Sequence, residues 1–238
     1  MEWTARELVN ALGGHPAEAL GIDPATEAGA NRWLVAAIVL GSRGPAKAAT
    51  EAVRSLAKND TATPRDLAGA DPERLERLLA EAGLTRPEVT ARVLLRASAA
   101  LVERFGGSCA ALARDADGLE ELGGRIASLA PGVGAATVAR FLRPLRDVWT
   151  AAADLPLSPA THAAAVCVGL LRGHEDEEGS PGALRAALRA EFGAPALADA
   201  EHALDQLGRR ACLPGRPERC PLNPRCPARS VARPGQRE

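Results

Sequence analysis

The chain has 238 residues and a formal net charge of −1, so it can bury a substantial core in one or two domains but lacks the overall basicity of a strong DNA-binding protein. Aromatic residues make up only 3% of the chain, and tyrosine is absent. Alanine and leucine, both strong helix formers, are abundant, and stretches rich in β-branched residues are few. The composition therefore predicts an all-α protein.

The sequence shows no pattern typical of export or of a membrane span. Its first residues lack the charged and then apolar order of a signal peptide, and the apolar run over 34–40 is too short to cross a bilayer. Five cysteines without a secretion signal also argue against a disulfide framework. We therefore expect a cytoplasmic protein with no membrane partner, and we expect a monomer.

Short helices separated by glycine- and proline-rich turns are predicted along the whole chain. The spacing of apolar residues predicts helices over 3–12, 16–20, 31–42, 46–58, 72–82, 86–105, 117–128, 135–147, 160–172, 181–192 and 196–208. Thr63 and Pro64 predict one further helix start, with the threonine as cap and the proline in the first position. In the helix over 46–58, the predicted buried stripe is Ala49, Val53, Leu56 and Ala57.

The most informative stretch is Ala-Pro-Gly-Val-Gly-Ala-Ala-Thr-Val-Ala over 130–139, which predicts a tight turn between two helices. Gly132 and Gly134 would allow positive φ and a close approach of a ligand to the backbone. The first amides of the second helix have no partner inside that helix, so they suit an anion such as phosphate. Arg140, Arg143 and Arg146 follow at intervals of three and are expected on one face.

The two helices that flank this turn each have a predicted apolar face. The residues of these faces are Leu122, Ile126, Ala127 and Leu129 before the turn, and Val138, Phe141, Leu142 and Leu145 after it. The alternative to a ligand-binding bend is an ordinary turn between helices whose glycines serve only as caps.

The stretch resembles the helix-hairpin-helix of the endonuclease III superfamily of DNA glycosylases, whose pattern is Leu-Pro-Gly-Val-Gly-x-Lys-Thr-Ala. Three further stretches resemble the family in its own order. They are 31–42, similar to the first barrel helix, 75–101, similar to the helix pair before the hairpin, and 220–227, similar to the last half of the iron–sulfur loop. Together the matches cover most of residues 30–230.

The resemblance implies a two-lobed helical DNA glycosylase fold. Residues 31–147 would form a helical barrel that contains the hairpin, at about 121–146, and residues 1–30 with 148–238 would form the second lobe. Double-stranded DNA would lie between the lobes and contact the bend. The DNA-binding residues implied in this way are Pro131, Gly132, Val133, Gly134, Ala136, Thr137, Arg140 and Arg43. Arg43 stands near the position where the family commonly has a glutamine, and its alternative is a solvent-facing loop residue.

The resemblance also implies where the catalytic groups would be. Members that cut the DNA backbone carry a lysine that attacks the sugar, and Ala136 stands in that position here. The family's spacing from this position leads to Asp154 as the catalytic carboxylate. A second alignment, on Thr161 and His162, instead puts Ala160 in the aspartate position and removes the carboxylate. Asp147 is a weaker substitute, and His162 is expected at the surface or at a cap.

The cysteine loop departs from the family pattern of four cysteines that hold one [4Fe–4S] cluster. Cys212, Cys220 and Cys226 match three of the four, and Pro217 stands where the other would be. Three thiols could hold a cluster with one open or foreign ligand, a three-iron cluster, zinc, or no metal. We expect a degenerate loop, shaped by its prolines, that binds no cluster.

Three functions follow as alternatives. The first is a monofunctional base-excision DNA glycosylase that acts through Asp154. The second is a non-catalytic helix-hairpin-helix protein that binds DNA, and the third is a helical scaffold for protein partners. The sequence favours the first because the spacing to Asp154 fits the family.

Overall fold

The computed structural model describes residues 4–171, 181–190 and 196–222, and these residues form helices and turns with no strand. The predicted all-α fold class is confirmed. The helices in chain order are α1 (Ala5–Leu12), α2 (Pro16–Ala19), α3 (Glu27–Leu40), α4 (Ala46–Lys58), α5 (Pro64–Ala68), α6 (Pro72–Glu81), α7 (Pro87–Phe105), α8 (Cys109–Ala113), α9 (Gly118–Ala127), α10 (Ala135–Leu142), α11 (Pro159–Cys167), α12 (Pro181–Arg189) and α13 (Leu197–Leu207). Within the described ranges, no helix has both the length and the apolar character that a membrane span requires.

The chain divides into two compact units. Residues Pro16–Leu155 form one unit, which we call the hairpin unit, and Met1–His15 with Pro156–Glu238 form the other, which we call the terminal unit. This division groups residues 16–30 and 148–155 with the hairpin, whereas the predicted lobes were divided at residues 31 and 147. Helices α2 to α10 therefore belong to one unit.

Helix α3 is the most buried element of the hairpin unit. It starts at Glu27, four residues before the predicted start, because the Thr26 hydroxyl accepts a hydrogen bond from the Gly29 amide and caps the helix. Its residues from Trp33 to Val39 are all buried. The indole nitrogen of Trp33 donates to the carbonyl oxygen of Phe141 at 3.1 Å, which ties α3 to the end of α10.

Most other predicted elements of the hairpin unit are found within a few residues of their expected bounds. Thr63 caps α5 and Pro64 takes the first helical position, as predicted, and Asp66 completes a capping box with Thr63. Two alanines were wrongly placed on buried faces: Ala57 and Ala127 are exposed. Helix α8 was missed, because its five residues are too few to show a periodic pattern.

The second hairpin helix is shorter than predicted. Helix α10 ends at Leu142 and continues as a 3₁₀ turn over Arg143–Leu145, whereas one helix was expected over 135–147. Pro144 lies in this turn, and a proline has no N–H with which to continue an α-helical ladder. A second 3₁₀ turn, Thr150–Ala152, packs against α9.

In the terminal unit, α1 and α11 both pack against α13. The core of the terminal unit includes Leu8, Leu184 and Leu204. A π-helix over Gly208–Cys212 continues α13, and Gly208 lies so close to α11 that a β-carbon there would overlap the Ala160 carbonyl oxygen. Ser158 caps α11, and its hydroxyl also donates to Asp205 at 2.6 Å. Ser158 therefore both caps α11 and links the start of α11 to α13.

Candidate functional site

The bend between α9 and α10 is exposed at its tip and anchored at its base. Leu129, Ala130 and Val133 are buried, and the Val133 amide donates to the Ala130 carbonyl oxygen at 3.0 Å. Between Ala130 and Val133, the residues Pro131 and Gly132 are exposed to solvent. The core therefore holds the turn in place and leaves its outer backbone accessible. Val133 is 4% exposed and its amide is used within the turn, so its role here is to anchor the bend.

The two glycines of the bend differ in conformation and surroundings. Gly132 has a φ of 107°, and a β-carbon there would lie 2.8 Å from Cγ2 of Val93. Gly134 has a φ of −91°, so the prediction of positive φ is wrong for this residue. A β-carbon on Gly134 would have no atom within 4 Å, apart from its own chain neighbours. The first glycine is thus needed for the turn, whereas the second leaves open space above the backbone.

The start of α10 presents unpaired amides next to this open space. The Gly134 carbonyl oxygen accepts from the amides of Thr137 at 2.9 Å and Val138 at 3.0 Å. Ala135 and Ala136 are exposed, and within the described part of the chain no acceptor bonds their amides. Helix starts of this kind carry partial positive charge and suit an anion. The predicted anion-binding geometry is therefore available at α10.

The three arginines that follow the bend do not form one exposed face. Arg146 is 3% exposed, and its Nη2 donates to the Leu155 carbonyl oxygen at 2.6 Å. Arg143 is half-buried in the 3₁₀ turn. The expectation of one cationic face is wrong because the α-helix ends at Leu142, which changes the periodicity beyond Arg140.

Arg140 lies against the exit of α3. A β-carbon on Gly41 would be 2.9 Å from the Arg140 Nη1 and 3.0 Å from the Thr137 hydroxyl oxygen. Both side chains therefore pack over Gly41 and join α10 to the end of α3. Thr137 is 9% exposed, so its side chain contributes chiefly to this packing.

A groove of about 190 Å³ runs beside the bend. It is lined by Ile38, Gly41, Ser42, Arg43, Arg86, Val89, Thr90, Val93, Gly132 and Thr137. Arg43, which was predicted from the sequence, is exposed at this groove. Arg86 was not predicted, because no local pattern shows that the start of α7 lies near the exit of α3. The groove therefore combines apolar side chains, two guanidinium groups and the Gly132 backbone.

Asp154 is exposed in the turn that follows the 3₁₀ helix Thr150–Ala152. Its carboxylate has no hydrogen bond or ion pair with any described residue. It belongs to the same unit as the hairpin, but it is not among the residues that line the groove beside the bend. Of the alternative positions, Asp147 is exposed and Ala160 is buried in α11.

The described cysteines do not provide the donor set of a four-thiolate cluster. Cys212 ends the π-helix and is half-buried, Cys220 is buried, and Cys226 lies outside the described residues. The described ranges hold no group of three or more histidine, cysteine, aspartate or glutamate side chains that could bind a metal ion. Cys109 is buried in the hairpin unit, and desolvation, followed by the nearby Glu27 charge, raises the pKa of its thiol.

Comparisons with known proteins find likeness only among solved structures. No family model and no curated protein matches the chain. The 3-methyladenine DNA glycosylase MagIII of H. pylori, bound to 1,N6-ethenoadenine, is similar at 15% identity and a TM-score of 0.48, over 87% of this chain and 95% of that chain. A trapped covalent intermediate of endonuclease III with DNA is similar at 18% identity and a TM-score of 0.47, over 94% and 96%. At this level, the likeness assigns neither protein's activity to this chain.

Proposed function

We propose that the hairpin unit binds the backbone of double-stranded DNA at the bend between α9 and α10. The observation that carries the proposal is the exposed bend, where Gly134 leaves open space beside the unpaired amides of Ala135 and Ala136. A phosphate oxygen in that space would accept hydrogen bonds from these amides and be attracted by the helix start. The buried Val133 side chain fixes the turn in advance, so little ordering would be needed on binding.

We further propose that the bound DNA is the substrate of a base-excision reaction. The motif pattern over 130–139 and its resemblance to the endonuclease III superfamily support this step. The damaged base would leave the stack, water would attack the sugar carbon of the N-glycosidic bond, and the base would depart with a proton. Asp154, an exposed carboxylate with no described partner, would stabilise the positive charge on the sugar or activate the water.

The proposed enzyme is monofunctional. Ala136 stands where lyase-type relatives would have an attacking lysine, and its methyl group cannot form a Schiff base. Borohydride trapping on abasic DNA tests this directly. We expect no trapped adduct with the native chain, and Ala136→Lys supplies a variant with an amine at this position for comparison. Efficient trapping by the native chain would contradict the monofunctional assignment.

A second function is favoured by one specific observation. Asp154 does not line the groove beside the bend. This favours the alternative in which the chain is a non-catalytic DNA-binding protein that has the hairpin but no glycosylase activity. A panel of duplexes carrying uracil, oxidised pyrimidines, oxidised guanine, mismatches or alkylated bases separates the two functions. Base release from any member, lost in Asp154→Asn, supports the glycosylase.

The matched control for this panel is Asp117→Asn, since Asp117 is also exposed and its side chain makes no capping hydrogen bond. Base release that persists in Asp154→Asn would remove Asp154 from the mechanism. Salt-dependent duplex binding without any base release would support the non-catalytic alternative. A chain that binds no duplex at low salt would contradict both DNA functions.

A further inference from the structure

Among the residues that the structure describes, the groove beside the bend is lined by two arginines and by no acidic residue. Arg43, from the exit of α3, and Arg86, from the start of α7, both line it and are both exposed. Neither guanidinium has a hydrogen bond or ion pair with any residue that the structure describes. No aspartate or glutamate of the described ranges lines the groove. This arrangement is complementary to an anionic ligand and leaves both arginines available to it.

The backbone of Arg86 is fixed although its side chain is free. The amide and the hydroxyl of Thr90 both donate to the Arg86 carbonyl oxygen, each at 3.2 Å. Pro87 follows at the first position of α7, where its ring is compatible with the helix. The hydrogen bonds to the Arg86 backbone therefore hold the start of its side chain at the groove. A ligand would have to order only the outer part of the side chain and its guanidinium group.

Three other charged residues of α7, Glu88, Arg92 and Arg96, lie at a different surface. Arg92 and Glu88 line a separate groove together with Glu76 of α6. There Arg92 and Arg96 have acidic neighbours, whereas no described acidic residue lines the groove of Arg86. Arg92 thus provides a matched cation on the same helix that faces another surface.

The floor of the groove is apolar and partly open. Val89 is 42% exposed, and Val93 and Ile38 complete the apolar lining. The same groove includes Gly132 and Thr137, so it is continuous with the bend and the start of α10. A ligand that is held at the bend and extends along this groove would therefore contact apolar side chains and both arginines.

We propose that Arg43 and Arg86 bind phosphates of the DNA strand that is held at the bend, while Val89 packs against its deoxyribose. This inference rests on the proposed DNA-binding function and adds a second anchor, from α7, to the bend itself. Phosphate contacts fix the position of the strand without reading its sequence. The anchor is therefore expected to act alike on damaged and undamaged duplexes.

The test measures the affinity of the full chain for one undamaged duplex over a series of salt concentrations. Each lost phosphate contact lowers the slope of log K against log salt by about 0.9, which is about eightfold in affinity at 0.1 M salt. We expect this change for Arg43→Ala and for Arg86→Ala, and twice the change in slope for the double variant. Arg86→Lys keeps the charge and should keep the slope. Arg92→Ala is the control and should match the native chain.

A second readout uses duplexes in which single phosphates are replaced in turn by uncharged methylphosphonate. The duplex whose replaced phosphate is the one bound by Arg86 should bind the native protein more weakly than the unmodified duplex does. Arg86→Ala should cause no further loss of affinity for that duplex. If Arg43→Ala and Arg86→Ala match Arg92→Ala in affinity and in salt slope, the inference is overturned. Salt-dependent binding by the native chain would in that case still support the proposed function. Native protein that binds no duplex would overturn both.

Discussion

Gly132 and Val93 approach each other as closely as a glycine allows. A β-carbon on Gly132 would lie 2.8 Å from Cγ2 of Val93, and the φ of 107° is one that other residues rarely adopt. Two residues later, Gly134 has an ordinary φ of −91° and open space above it. The first glycine of the motif lets the bend pack on α7, and the second leaves the outer backbone bare.

Gly132→Ala is expected to destabilise the hairpin unit. The methyl group would meet Val93 in a backbone region unfavourable for alanine, which typically costs about 1–3 kcal/mol. Urea denaturation monitored by circular dichroism measures the change. A native-like midpoint and free energy of unfolding for this variant would show that the turn does not need its glycine.

Arg146→Met is expected to lower stability as well, although sequence spacing placed Arg146 on one face with Arg140 and Arg143. The substitution removes the hydrogen bond from Nη2 to the Leu155 carbonyl oxygen, and a bond from a charged donor contributes about 1.5–3 kcal/mol. Because Leu155 follows Asp154, base release should also fall in this variant. Arg43→Ala, at an exposed residue with no partner among the described residues, is the control and should melt as the native chain does. Equal melting of both variants with the native chain would contradict a structural role for Arg146.

Glu121 should make the stability of the hairpin unit modestly dependent on pH in the acidic range. Hydrogen bonds from the Asp117 amide and from Arg125 lower the pKa of this carboxyl below its ordinary value. A lowered pKa in the folded state means that the stabilisation is present above the ordinary glutamate pKa, about 4.3, and is lost as the pH falls through the lowered value. Glu121→Gln should therefore reduce stability at pH 7 and have less effect at low pH.

Glu120→Gln is the matched control for this dependence, since Glu120 is also exposed on the first turn of α9 and has no described partner. Unfolding measured between pH 2 and pH 7, in steps of about one unit, gives both curves relative to the native chain. Identical curves for the two variants would show that the Glu121 hydrogen bonds contribute nothing to folding.

The helices could be predicted from the sequence because their caps and periodicity are local. Thr63 with Pro64 marks the start of α5, and the apolar residues of α10 mark its buried side. The division of the chain into two units depends on contacts between distant segments, which no local sequence pattern shows. Ala57 and Ala127 were misassigned because alanine is compatible with either side of a helix.

The candidate site was only partly predictable. The bend and Arg43 follow from a local pattern, whereas Arg86 joins the groove through the packing of α7 beside the exit of α3. The separate roles of the two glycines depend on the position of Val93, more than thirty residues away in the sequence. The burial of Arg146 likewise depends on the 3₁₀ turn that ends α10, which spacing alone does not show.

The affinity of Gly134→Ala for an undamaged duplex tests DNA binding at the bend most directly. Its methyl group would enter the open space beside the Ala135 and Ala136 amides without touching the rest of the protein, so folding should be unchanged. Gly124→Ala adds the same methyl group to open space on α9 and is the control. We expect Gly134→Ala to bind the duplex at least several-fold more weakly than the native chain, with Gly124→Ala unchanged. Equal affinity of all three proteins would contradict a DNA backbone bound at this bend.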